Sequence, residues 1–351
     1  MATTDYPVNH PNAVKHWSAE VLKEALKRTY ASRFMGTGSN SLCQIRNEMK
    51  SEGDRVRVNL RTQLSGGGVA GDGTLEGNEE ALSIYTDNIF IDQLRHAVRS
   101  GGKMSEQRVP FTVRDEAKDG LADWWADKID YGFFNQLAGN ATQTDTRLTG
   151  MQSATAPTNS VMKVEASWTA NTTASLSTTD TIVLTGIDYA VEKARTGTYP
   201  IRPIRMGGQE YYVMFMSEEQ AADLRTNTNT GQWLDIQKAA MNGGDVTKNP
   251  IFTGSLGVYN GVILHATNRL PSAGGVTSTK RAVLAGAQAC AIAFGKGSGN
   301  NKISWVEELF DYENQLGVAA SMIWGLKKLT FNAVDHAAIV YPTYAAAHGA
   351  R

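Results

Sequence analysis

Apolar and polar positions alternate with a period of two from Asp54 to Leu64, where Val56, Val58 and Leu60 stand between Arg55, Arg57, Asn59 and Arg61. That is the pattern of a strand with one buried face. Glycine then recurs at Gly66, Gly67, Gly68, Gly71, Gly73 and Gly77, too often for a helix or a packed core. The chain returns through Ala81 to Tyr85 and Asn88 to Asp92, so residues 53–99 are predicted to form a long two-stranded ribbon with a flexible tip. A lone ribbon has no second layer to offset the entropy of ordering it, and this one is expected to lie on another subunit. The period changes after Thr112. Thr112 and Asp115 read as a capping box, and Leu121, Trp124, Trp125, Ile129, Phe133 and Leu137 form a helical apolar stripe. Asp119, Asp123, Asp127 and Asp130 are assigned to the opposite face as a solvated or subunit-facing surface. At 1.5 Å per residue, about 25 residues give a helix roughly 37 Å long, enough to cross a subunit.

Other segments follow the same logic. Trp17 to Phe34 has helical spacing with Ser18 as cap and Gly36 as stop, and Leu42 to Met49 forms a short further segment. Ile91 to Val98 fits either a helix or a continued strand. Asn140 to Thr181 turns rich in Thr, Ser, Ala and Asn and reads as a surface loop or small insertion. A separate α/β unit is predicted next: a helix over Ile182 to Ala194, a buried strand over Tyr211 to Met216, a helix capped by Ser217 to Gln220, and another helix over Trp233 to Met241. Val258 to Leu264 carries Asn260-Gly261 between apolar residues, the signal of a type I′ hairpin. Ala282 to Leu284 and Ala287 to Phe294 are assigned to the same unit. Ile303 to Tyr344 is mostly strand, expected to pack on the long helix and return the chain to its first domain.

With 351 residues, 41% of them hydrophobic and 20% charged, the chain can bury a substantial core in two or three subdomains. The 34 basic and 35 acidic residues leave a net charge of -1, which gives no global attraction to nucleic acid or anionic membranes. No apolar run is long enough to span a bilayer, and the polar start Met1 to Tyr6 has no signal-peptide pattern. Cys43 and Cys290 lack a CxxC or Cys/His cluster and are read as buried thiols, with no disulfide or zinc site expected. Gly66 to Gly71 satisfies G-x-G-x-x-G after a strand, so a nucleotide-binding enzyme must be weighed. A dinucleotide turn opens a helix whose amides hold pyrophosphate, whereas here glycines continue to Gly77. Gly295 to Gly299 lacks Walker spacing, and the six histidines show no metalloprotease pattern. No catalytic residue, cofactor or metal is expected.

Two late segments carry a resemblance. Asn249 to His265 (NPIFTGSLGVYNGVILH) and Asp311 to Lys328 (DYENQLGVAASMIWGLKK) resemble, in this order, signatures of the major capsid proteins of N-four-like tailed bacteriophages. The second departs from the pattern at Glu313, where Gly is expected. The resemblance implies an α+β fold of the Hong Kong 97 type, divided into an N-terminal arm (1–50), an extended loop (51–100), a peripheral domain with a spine helix and insertion (101–181), an axial domain (182–302), and return strands of the peripheral domain (303–351). It implies a protein made in the host cytoplasm that assembles as hexamers and pentamers into an icosahedral head around double-stranded DNA, contacted non-specifically. Scaffold, portal and decoration proteins are further implied partners, and no membrane is. The alternatives are another phage structural protein such as a tail tube, and the nucleotide-binding enzyme. On this reading Arg55, Arg57, Arg61, Gly66, Gly67, Gly68, Gly71, Gly73, Asp119, Asp123 and Asp127 form the subunit interface. The ribbon has no lysine between Lys50 and Lys103, so it offers no amine for a cross-link.

Overall fold

A computed structural model describes residues 29–47, 53–62, 64, 66–110, 112–164, 167–169, 176–206, 208–227, 257–272, 278–295 and 303–347. Most of the segment from Trp17 to Phe34, the segment from Trp233 to Met241 and the first part of the signature at Asn249 lie outside the described residues. In chain order the strands are β1 (Met35–Gly36), β2 (Cys43–Asn47), β3 (Arg55–Arg61), β4 (Ile84–Phe90), β5 (Asp92–Arg99), β6 (Met162–Val164), β7 (Ser167–Thr169), β8 (Ile204–Met206), β9 (Gln209–Met216), β10 (Val258–Tyr259), β11 (Val262–Ala266), β12 (Thr279–Ala285), β13 (Cys290–Phe294), β14 (Ile303–Phe310), β15 (Gln315–Lys328), β16 (Thr330–Phe331), β17 (Val334–Asp335) and β18 (Ala338–Tyr344). Helices occupy Lys103–Gln107, Val113–Leu137, Leu184–Thr196 and Glu218–Thr226.

Two mixed sheets organise these strands. The first runs β1-β2-β13-β15-β14 with β5 also on β15, and the second runs β10-β11-β9-β12-β18 with β8 also on β9. The 14-residue β15 is the hub of the first sheet, pairing with β14, β5 and β13 along its length. The 25-residue helix Val113–Leu137 packs on it. Leu121, Trp125, Ile129, Phe133 and Leu137 are buried as their spacing predicts, with Trp124 at the margin stacked on His96 at 4.5 Å. Close approach is set by small residues: a Cβ on Gly132 would meet the Gly150 amide at 3.2 Å and Trp324 at 3.3 Å. One apolar core runs continuously from this helix into both sheets.

Local signals held where they were local. Ser217 and Gln220 make the reciprocal capping box of the helix Glu218–Thr226. Asn260 and Gly261 have φ of 45° and 73° between β10 and β11, the double left-handed turn of a type I′ hairpin. Several expectations are corrected. Thr112 stands at the N-cap and its carbonyl accepts from the Glu116 amide at 3.3 Å, but its side chain makes no capping bond; the hydroxyl donates to the Asp115 carboxylate at 3.0 Å and accepts from no helix amide. Of the two alternatives left open for residues 91–98, the strand is the one adopted, because β15 offers residues 92–99 a full antiparallel partner. β13, assigned to the second unit, pairs with β2 and β15, while β18, assigned to the returning strands, pairs with β12 across seven residues. The late strands are therefore shared between the two sheets.

Candidate functional site

The ribbon is built by β3 and β4, in register from Arg55↔Phe90 to Arg61↔Ile84. Its alternation resolves as read: Arg55, Arg57 and Arg61 face outward, and Val56 and Val58 are buried. Their burial, however, is within the same chain. Val56, Val58 and Ile89 pack with Ala291, Ala293, Leu329 and Phe331, so the root of the ribbon has the second layer that the sequence reading assigned to a neighbour. Asp87 strengthens the root. Its buried carboxylate takes the Lys327 ammonium and accepts from the Thr330 amide at 3.0 Å, and Lys327 also donates to the Asn88 carbonyl at 3.2 Å. At Gly325 a Cβ would fall on the Phe90 carbonyl oxygen, so only glycine lets β4 cross β15 here. The sequence reading missed Asp87; its signal was a charged residue in the inward phase of β4, two positions before Ile89.

Beyond Thr62, whose amide and hydroxyl both donate to the Ser83 carbonyl, the ribbon leaves the body. Leu64, Leu75 and Leu82 are 54–61% exposed there. The glycines Gly66, Gly67, Gly68, Gly71 and Gly73 all lie in this exposed tip. Gly68 and Gly71 have φ of 66° and 64°, and the Gly66 amide is held by the Glu80 carboxylate at 2.7 Å. No helix follows before Lys103, and an acidic side chain already occupies an amide that a phosphate would need.

On the long helix Asp119, Asp123 and Asp127 are exposed, as expected, and Asp127 pairs with Arg269 at 2.7 Å. Asp130 does not belong with them. It is fully buried, accepting from the amides of Tyr30 and Ala31 at 2.9 Å each and pairing with Arg269, because the entering chain crosses the helix at that turn. Burial, the largest influence, raises its carboxyl above the ordinary range, while the two amides and Arg269 pull it down. The start of the helix is tied by Arg114 to Glu307, whose carboxylate also accepts from the Trp305 indole at 2.8 Å. The predicted charges thus sit on two separate elements, arginines on the outer face of β3 and aspartates on the outer face of the helix. Among the described residues no group of three His, Cys, Asp or Glu side chains is placed to hold a metal.

Residues 5–347 match the phage capsid protein family. The chain is 29% identical over 346 residues to the major capsid protein of Pseudomonas phage KPP25, covering 91% of this chain and 89% of that one. Its structure is similar to the capsid of Ralstonia phage GP4, with a TM-score of 0.75, 33% identity and 99% of both chains covered. It also resembles the capsid of cyanophage Pam1, with a TM-score of 0.70, 19% identity and coverage of 92% and 93%.

Proposed function

The chain belongs to the phage capsid protein family, and on that premise we propose that its ribbon tip and outward charges are the contacts by which copies join into the shell of a tailed-phage head. The fold is of the Hong Kong 97 type, and the role is structural, not catalytic. One observation carries the proposal: the ribbon is rooted in its own chain by Val56, Val58, Ile89 and Asp87, yet its tip leaves three large apolar side chains more than half exposed. Such a cluster on a projecting element is an interaction surface. A second copy is the occupant that a shell supplies at every position.

In this reading residues 51–100 act as the extended loop, 101–181 with the long helix as the peripheral domain, and 182–302 as the axial domain, with β13 and β18 exchanged between the two sheets. Arg55, Arg57 and Arg61 of one copy face Asp119, Asp123 and Asp127 of the next. Copies join as hexamers and pentamers into an icosahedral head, made in the host cytoplasm, that encloses double-stranded DNA through non-specific contacts; scaffold, portal and decoration proteins act on the same shell. Deleting Gly67 to Gly73 tests the tip. The expected product melts like the intact chain but forms no shells under negative-stain microscopy, and normal shells from it would refute the assignment.

A further inference from the structure

Cys43 and Cys290 are distant in sequence but are register partners in the parallel pair β2–β13, and both are fully buried. Adjacent strands lie about 4.8 Å apart, inside the roughly 4.4–6.8 Å between Cα atoms that a disulfide spans. Partners in register point to the same face of the sheet, so the two sulfurs meet in the core. The register is fixed on both sides: the Cys290 amide donates to the Leu42 carbonyl at 3.3 Å, and pairing continues to Asn47↔Phe294. We propose that Cys43 and Cys290 are an oxidisable dithiol, closed by a peroxide into an intrachain disulfide that staples β2 to β13.

Among the described residues Cys43 lies one strand nearer the sheet edge than Cys290, with the two-residue β1 outside β2. The Cys43 sulfur attacks one peroxide oxygen, the O–O bond breaks, and the departing hydroxide takes the Cys43 proton to leave as water, giving a sulfenic acid. The Cys290 sulfur then attacks the Cys43 sulfur. The S–O bond breaks and the hydroxyl leaves as a second water with the Cys290 proton, so two thiols and one peroxide become one disulfide and two waters. Burial and the neighbouring Cys43 sulfur push the Cys290 thiol up. A small oxidant suits a buried pair. The closed loop would contain the ribbon, the long helix and most of the second sheet.

The test uses the reduced full-length chain, treated with hydrogen peroxide, denatured, and blocked with N-ethylmaleimide. Because the chain has two cysteines, the outcome is unambiguous. The expected result is no maleimide added after peroxide, two maleimides after reductant, and a Cys43 peptide joined to a Cys290 peptide, about 2 Da below the sum of the two, in a non-reducing digest. Two maleimides after peroxide, added oxygen on unlinked cysteines, or a linkage between chains would overturn it. The variant Cys43→Ser should retain a blockable Cys290 or gain oxygen there, without the loss of two hydrogens. Should that variant fail to fold, the wild type with and without reductant decides the matter alone.

Discussion

Asp130 shows how one side chain can change roles between sequence and structure. It shares a helical spacing with Asp127, but it faces the entering chain and holds two amides and Arg269. Removing one partner of a buried ion pair typically costs about 3–5 kcal/mol, because the others are left unpaired. Asp130→Ala is therefore expected to lower the melting temperature sharply, whereas the exposed Asp123→Asn should stay within about 0.5 kcal/mol of wild type. The pH dependence has a definite sign. A carboxyl raised on folding binds its proton more tightly in the native state, so its contribution is complete below the unfolded value and is lost as pH rises through the folded one. Against Asp130→Asn, which does not titrate, the wild type should lose relative stability as pH rises through the acid range. A rising difference in denaturant titrations would contradict this. Glu313 is a second such case. At the β14–β15 turn Asp311, Tyr312 and Glu313 have φ of 55°, 50° and 65°, and Glu313 occupies the place where the capsid signature leads one to expect Gly. A non-glycine residue in this region pays roughly 1–2 kcal/mol, and glycine returns part of that as unfolded-state entropy. Glu313→Gly should stabilise the chain by about 0.5–1 kcal/mol in a thermal melt.

At the scale of elements, the ribbon divides into a root packed in its own chain and an exposed tip, which the proposal assigns to assembly. Ile89 is fully buried against residues of its own chain, and Ile→Ala at such a site costs about 2–5 kcal/mol. Leu82 is 54% exposed, so Leu82→Ser should leave the melt of the unassembled chain unchanged but reduce the yield of particles in sedimentation. Equal effects of the two substitutions on the melt would erase the division. The same distinction explains what the sequence could reveal. Alternation in β3, the stripe of the long helix, the Ser217 box and the Asn260-Gly261 turn are written within a few residues, and each reads correctly. The outward positions of Arg55, Arg57 and Arg61 and of Asp119, Asp123 and Asp127 follow from those same periods. Which strand pairs with which is not local information. An apolar run such as β13 fits equally beside β2 and β15 or in the second sheet, so its sheet, the place of β18 and the meeting of Cys43 with Cys290 emerge only with the fold.

At the scale of the whole molecule, the question is what locks many copies together. A ribbon without a lysine between Lys50 and Lys103 offers no amine for an amide bond to a neighbour. Cys43 and Cys290 are both fully buried and face each other, so neither is available to a second copy. On the proposed reading, what remains for the shell is non-covalent: apolar burial of Leu64, Leu75 and Leu82, and pairing of ribbon arginines with helix aspartates. Exposed ion pairs are worth only about 0–1 kcal/mol each and are screened by salt, yet repetition over every subunit makes their sum count. The net charge of -1 adds almost no overall repulsion between copies, so these local pairs are not opposed by a long-range field. Two consequences can be read on one preparation. Particles should loosen as salt is raised at constant pH, in proportion to the charges in contact. Boiled in denaturing detergent without reductant, they should run as a single band near 38.0 kDa, because the disulfide argued above closes within one chain. A ladder of multimers on that gel would overturn the non-covalent reading.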